Sequence, residues 1–263
     1  MNMPQMYFGA AEPGSDLAVI LLEEIKGLSK MDLPLEEWAL TATEIELALR
    51  ELAGMHCKWW EDKSLQQYSW LLRVDDEARQ FLYRGYEGAW AKLKDVLEPS
   101  FTPAEIRICN GLSDYLPTLM SEMKSLPVTL CHGDFHRGNL LWDSLGKPDK
   151  VWAVDWQLAS IGPVVADVSW FLGVPRSEIH LLQQEYLPGY HGVLCEGGSV
   201  NYDYDRFLSD YRYGVLDSLA RTVAIYGSLD FARDDFVEFT RLNIGFRAAP
   251  AEAMGSEQLI NES

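Results

Sequence analysis

The chain has 263 residues, 48% of them hydrophobic, enough for one large domain or one domain with a small lobe. A formal charge of −18 argues against nucleic acid or an anionic membrane surface as partner, since phosphate binding wants a basic face. The four cysteines show no CxxC, and the N-terminus Met1-Asn2-Met3-Pro4 has neither a basic segment nor a long apolar run. The expectation is free thiols, no signal peptide, and a soluble cytoplasmic protein.

Residues 4–26 read as two strands around a Pro-Gly turn at Glu12-Pro13-Gly14-Ser15-Asp16, and the apolar run Leu17–Leu22 reads as a buried strand. Residues 34–60 read as a helix. Pro34 lies near its start, Glu36 and Glu37 lie in the first turn, and Ile45, Leu49, Leu52, His56 and Trp59 share one face. A histidine on such a face is read first as a core residue. A second helix is expected over 76–97. A third starts at Thr102-Pro103-Ala104-Glu105, with Thr102 as N-cap and Pro103 at the first helical position, and Pro117 is expected to kink or split it.

The apolar run from Val128 to Leu130 then leads into Cys131-His132-Gly133-Asp134-Phe135-His136-Arg137-Gly138-Asn139, and a second run follows from Leu140 to Trp142. A third short strand, Val151 to Val154, ends in Asp155-Trp156-Gln157. A loop carboxylate, a nearby amide and a second carboxylate at the next strand end are what phosphoryl transfer needs. One carboxylate accepts the proton of an attacking hydroxyl, and the amide and the other carboxylate hold Mg²⁺ on phosphates. His132 and His136 could pass for a zinc pair, but no cysteine or third histidine stands at ligand spacing, and carboxylate with carboxamide suits Mg²⁺ better. Gly162-Pro163 reads as a turn into a helix with Asp167 near its start. Helices are expected over 176–194, 203–226 and 234–247, and a frayed tail follows from Ala248 to Ser263. The aromatics and carboxylates between Tyr202 and Arg212 could grip a cation through ring faces, or could belong to a surface helix.

His-Gly-Asp-x-His-x-x-Asn followed by a strand-end Asp-Trp resembles the catalytic core of the aminoglycoside phosphotransferase and choline kinase-like family. Asp-Trp-Gln leans toward its ecdysteroid-kinase-like branch. The resemblance implies an α+β, protein-kinase-like fold: a partial small β lobe with its hinge (residues 1–26), a mostly helical large lobe (27–250) and a tail (251–263). It implies ATP and Mg²⁺ as cofactors and a small-molecule hydroxyl as acceptor. Asp134 would be the catalytic base, and Asn139 and Asp155 the metal ligands. The Glu23 carbonyl and Ile25 N–H would be the hinge groups that face adenine, and His132 and Asp167 would support the catalytic loop.

One departure stands out. No GxGxxG occurs in the sequence, and the strand lysine and helix glutamate that precede this hairpin in the family have no counterpart. The expectation is therefore an N-terminally truncated member whose incomplete small lobe could self-associate. A degenerate kinase-like binding module and a metal-dependent hydrolase are the rival readings.

Overall fold

Thr41 and Thr102 set the two helices that frame the core. Each accepts a hydrogen bond from the N–H of a glutamate three residues on, Glu44 or Glu105, whose carboxylate accepts from the threonine N–H in return. These capping boxes satisfy donors that a helix start otherwise leaves unpaired. Helix α1 spans Ala42–Lys58, within the 34–60 range expected for it and carrying the Ile45-Leu49-Leu52-His56 face. The computed structural model describes the whole chain except residues 13, 15–16, 34–38, 75, 230–233 and 263. Pro34, Glu36 and Glu37, and part of the Pro-Gly turn, lie outside the described residues.

Two strands open the chain: β1 (Met6–Ala11) pairs antiparallel with β2 (Ala18–Leu22). Helix α2 (Glu77–Leu97) and helix α3 (Pro103–Ser125) follow α1 and a two-residue strand, β3 (Leu72–Arg73). Pro117 does not split α3, which runs on through it. Strand β4 (Val128–Cys131) leads into the His-Gly-Asp loop, and β5 (Leu140–Trp142) pairs antiparallel with β6 (Val151–Ala153) just beyond it.

Gly162-Pro163 is not a turn. It ends β7 (Ser160–Pro163), which pairs antiparallel with β4 and parallel with β3. The ladder partners of β7 are remote in sequence, which local turn chemistry cannot reveal. Helix α4 (Val164–Phe171) starts at once from β7. Helix α5 (Ile179–Leu181) passes through a π-helical stretch, Leu182–Tyr186, into α6 (Leu187–Leu194). Helices α7 (Tyr204–Gly227), α8 (Asp234–Ala253) and α9 (Glu257–Asn261) complete the order.

The core sits where α7 packs on α2, α4 and α8, with α1 against α6. At Gly214 the backbones approach so closely that a Cβ would stand 2.4 Å from the Val165 carbonyl oxygen. Two expectations need correction. The described part of the 251–263 tail is packed on the body: Arg107 clamps Glu257 through Nε and Nη2, Ile260 lies against Gly111, and Ser256 is buried. The Leu17–Leu22 strand is not buried either: every residue of β1 and β2 is exposed, Phe8 at 54% and Ile20 at 64%. An apolar run of that length predicts a buried strand only if another layer covers it. Among the described residues, no helix is long and apolar enough to cross a membrane.

Candidate phosphotransfer site

The loop between β4 and β5 is fixed by hydrogen bonds at nearly every residue. Gly133 adopts φ +82°, and a Cβ there would lie 2.0 Å from the Leu158 carbonyl oxygen. Only glycine meets both conditions. The buried carboxylate of Asp167, on α4, accepts from the His132 N–H at 2.6 Å and the Gly133 N–H at 2.9 Å. His56 Nε2 reaches the same carboxylate at 3.3 Å, and its Nδ1 faces the Tyr190 hydroxyl at 2.6 Å. Burial raises the Asp167 pKa, but the bond and charge of His56, with His132 and the Gly133 N–H, outweigh it and leave the group below its ordinary range. His56, Cys131 and Asp167 come close enough to suggest a metal trap. Their donors already have protein partners, since Cys131 Sγ donates to the Gly162 carbonyl.

His132 is held in one tautomer by its neighbours. Its Nδ1 accepts from the Asp134 N–H at 3.3 Å, so Nε2 carries the proton donated to the Val154 carbonyl at 3.0 Å. Burial lowers its pKa, consistent with that neutral ring. The Val154 N–H donates to the Asn139 carbonyl at 2.9 Å. That bond sets the end of β6, where Asp155 turns outward in the left-handed region at φ +64°, beside the backbone of Asn139.

The Asp134 carboxylate is oriented from two sides. Asn139 Nδ2 donates to its Oδ2 at 3.2 Å and to its backbone carbonyl at 3.0 Å, and Trp170 Nε1 donates to its Oδ1 at 3.0 Å. His136 Nε2 lies 3.5 Å from Oδ2. Burial raises the Asp134 pKa, but His136, the charge of Arg221 and the Trp170 bond bring it below the ordinary carboxylate value. The group is thus an anion at neutral pH, partly exposed and ready to accept a proton.

Asn139 spends its amide nitrogen on Asp134, which turns its amide oxygen toward other partners. That oxygen and the exposed Asp155 carboxylate are both hard-oxygen donors, the type that Mg²⁺ takes. Of the two residues expected to form a hinge, Glu23 extends the β1–β2 ladder, with its N–H donating to the Gln5 carbonyl at 2.7 Å. Ile25 follows in irregular chain that rejoins the body where Leu28 bridges to Trp142. In the Tyr202–Arg212 segment the expected aromatic and carboxylate cluster is partly taken up by packing. Tyr202 is buried, donates to Asp210 at 2.6 Å, and packs with Trp60 and Phe207.

Sequence reasoning missed Trp170 and the arginines around it. Trp170 stands three residues beyond Asp167 on one helix, a spacing that puts both side chains toward the loop and could have flagged it. Arg221, whose Nη2 donates to the Gly133 carbonyl at 3.0 Å, comes from a helix remote in sequence and left no such signal. A cavity of about 350 Å³ opens beside Asp134, with His136, Arg137, Trp170, Tyr226 and Arg247 in its wall.

Residues 14–207 match the sequence profile described as the phosphotransferase enzyme family. A spectinomycin phosphotransferase solved with ADP and spectinomycin superposes with a TM-score of 0.55 at 15% identity, over 92% of this chain and 74% of its own. A protein of Ralstonia eutropha assigned as an aminoglycoside phosphotransferase gives 0.54 at 15% identity, over 98% and 78%. At these identities the likeness establishes the fold, which is kinase-like and α+β. No protein of curated function matches the sequence.

Proposed function

This chain belongs to the phosphotransferase enzyme family, and on that premise we propose that it transfers the γ-phosphoryl group of ATP to a hydroxyl of a small molecule. The observation that carries the reading is the Asp134 carboxylate, oriented by Asn139 and Trp170 beside a cavity of small-molecule size. The acceptor oxygen attacks the γ-phosphorus, the bond from that phosphorus to the β,γ-bridging oxygen breaks, and ADP leaves. The hydroxyl proton passes to Asp134. Trp170 and Asn139 hold the carboxylate so that its accepting oxygen needs no reorganisation, and positioning supplies much of the barrier reduction. Asn139 and Asp155 would hold Mg²⁺, which supplies charge neutralisation on the phosphates. Glu23 and Ile25 would meet adenine through their backbone.

Support for Asp167 and His132 as the loop's brace lies in the bonds they make to His132, Gly133, Asp134 and Val154. A second reading, binding without transfer, is favoured by one observation: the sequence contains no GxGxxG. The two are separated by incubating the chain with Mg-ATP and a panel of alcohols and measuring acceptor-dependent ADP. Acceptor-dependent release that disappears in Asp134→Asn supports transfer. Mg-ATP binding with no release for any alcohol supports the binding module.

A further inference from the structure

The chain between the hairpin and α1 crosses the His-Gly-Asp loop, and it is pinned on both sides of the crossing. Gly27 runs so close to β5 that a Cβ there would stand 2.7 Å from Leu141 Cβ. Leu28 pairs with Trp142, its N–H donating at 2.7 Å and its carbonyl accepting at 2.9 Å. Lys30–Asp32 then form a 3₁₀ turn capped by Ser29, whose hydroxyl accepts from the Met31 N–H at 3.1 Å. Lys30 is buried, and its Nζ lies 3.2 Å from Oε2 of Glu44, which is buried too. Glu44 ties three segments together. Besides Lys30, it accepts from the Thr41 N–H at the start of α1 and, at 2.9 Å, from the Gly146 N–H between β5 and β6. Burial raises its pKa, but the bonds from Gly146, Thr41 and Lys30 outweigh it and leave the carboxyl below its ordinary range.

Between these anchors Met31 meets the turn Arg137–Asn139. A Cβ built on Gly138 would stand 2.7 Å from His136 Cε1 and 3.6 Å from Met31 Cγ, so imidazole and methionine crowd the same face of Gly138. The Gly138 N–H donates to His136 Nδ1 at 3.0 Å, and the Asn139 N–H to the His136 carbonyl at 2.9 Å. With Nδ1 accepting, His136 carries its proton on Nε2, the atom 3.5 Å from Asp134 Oδ2. A buried ion pair adds little net stability, because desolvation offsets much of the attraction; its best-attested use is to fix register. Seating the Lys30 ammonium on Glu44 fixes where the next residue, Met31, meets Gly138.

We propose that Lys30, through Glu44, and Met31 are positioning residues of the site. The strap from Leu28 to Asp32 holds the Arg137–Asn139 turn, and through that turn it keeps His136 and Asn139 on the Asp134 carboxylate. Neither strap residue has to touch substrate. A small displacement of the turn would misplace the accepting oxygen of Asp134, to which an in-line transfer is sensitive. A role in transfer rests on the phosphotransfer reading; the hold on the turn does not.

The test compares the full chain with Met31→Ala, Met31→Leu and Lys30→Met. Amide hydrogen exchange at Gly138 and Asn139 is read by NMR, with the unfolding midpoint and the exchange of α7 amides as controls. Met31 is 41% exposed, so its truncation should barely move the midpoint. Met31→Ala should speed exchange at Gly138 and Asn139 severalfold and leave α7 unchanged. With the fastest alcohol of the panel, it should lower kcat for ADP release by about 10- to 10²-fold and leave KM for Mg-ATP unchanged. Met31→Leu, which restores bulk over Gly138, should recover most of both losses. Lys30→Met should loosen the same two amides and also lower the midpoint, since Glu44 stays buried without this cation. If Lys30→Met fails to fold, Met31→Ala still decides. Unchanged exchange at both amides in Met31→Ala overturns the strap and leaves phosphotransfer standing. Faster exchange with the parent's kcat overturns the positioning role, as does a lower kcat with equal loosening of α7. Local loosening in a chain whose parent releases no acceptor-dependent ADP upholds the hold on the turn and overturns phosphotransfer.

Discussion

The His-Gly-Asp loop and the β1–β2 hairpin are built from similarly apolar strands, yet one is held by packed neighbours and the other is exposed. In the loop, β4 is paired on β7, Asp167 takes two backbone N–H groups and one imidazole, and Arg221 takes the Gly133 carbonyl. In the hairpin, every residue of both strands is exposed, and among the described residues β1 and β2 pair with each other alone. Chemistry that must hold a carboxylate to within a fraction of an ångström needs neighbours that over-determine it. A two-stranded ribbon has none, and is marginal on its own. The difference lies in what covers each strand rather than in composition.

The comparison can be broken most sharply at Asp134. If the loop is a preorganised site, Asp134→Asn should keep the fold and lower acceptor-dependent ADP formation by ~10²–10⁴-fold, read in initial rates with circular dichroism as control. Rates equal to the parent's would remove the assignment of Asp134 as base.

Next is the brace. Asp167→Ala leaves two backbone N–H groups and His56 without their acceptor, and should cost about 3–5 kcal/mol in denaturant unfolding. The pH dependence follows from the depressed Asp167 pKa. Its contribution to stability is fully present above the ordinary carboxylate range and is lost as pH falls through the lower folded value. The parent's stability should therefore drop steeply below about pH 4, and the variant's more gently. Parallel acid limbs for the two proteins would show that Asp167 is no such brace.

Asp155→Ala should weaken Mg-ATP binding by roughly tenfold or more if Asp155 is the anionic metal ligand proposed above. Calorimetry on variant and parent decides this, and an unchanged affinity would place the metal elsewhere.

A pair of glycines compares the two regions directly. Gly133 and Gly14 share nearly the same backbone angle, φ +82° and +81°, but Gly14 has nothing within 4 Å of an added Cβ. Gly14→Ala should cost about 1 kcal/mol, from the backbone alone. Gly133→Ala should cost more, about 2–4 kcal/mol, and should lower activity as the loop moves off Leu158. Similar losses at both would mean that packing around the loop adds nothing.

The smallest expected effect is in the hairpin. Phe8→Ser and Ile20→Thr remove exposed apolar surface and should change unfolding free energy by no more than about 0.5 kcal/mol. They should reduce self-association seen in sedimentation if the exposed faces promote it. A loss of several kcal/mol would mean that the hairpin is covered in solution.

Much of the fold was legible locally. The extent of α2 follows from its apolar members, the start of α3 from the Thr102-Pro103-Glu105 cap, and β4, β5 and β6 from short apolar runs beside the motif. The contact between Asn139 and Asp134 was legible too, because a short connection keeps them close whatever the rest of the chain does. The identity of β7, the exposure of β2 and the packing of α9 were not legible. Each depends on partners far away in sequence: β4 for β7, a covering layer for β2, and Gly111 with Arg107 for α9. The sequence by itself therefore determined the chemistry of the loop and the family it belongs to. Only the tertiary structure decided which groups surround that chemistry. Trp170, Arg221 and Arg247 reach Asp134 and its cavity from α4, α7 and α8, elements that no local pattern brings together. Caps and turns are written in neighbouring residues, whereas the orientation and charge of a site are written in contacts that exist only after the helices pack.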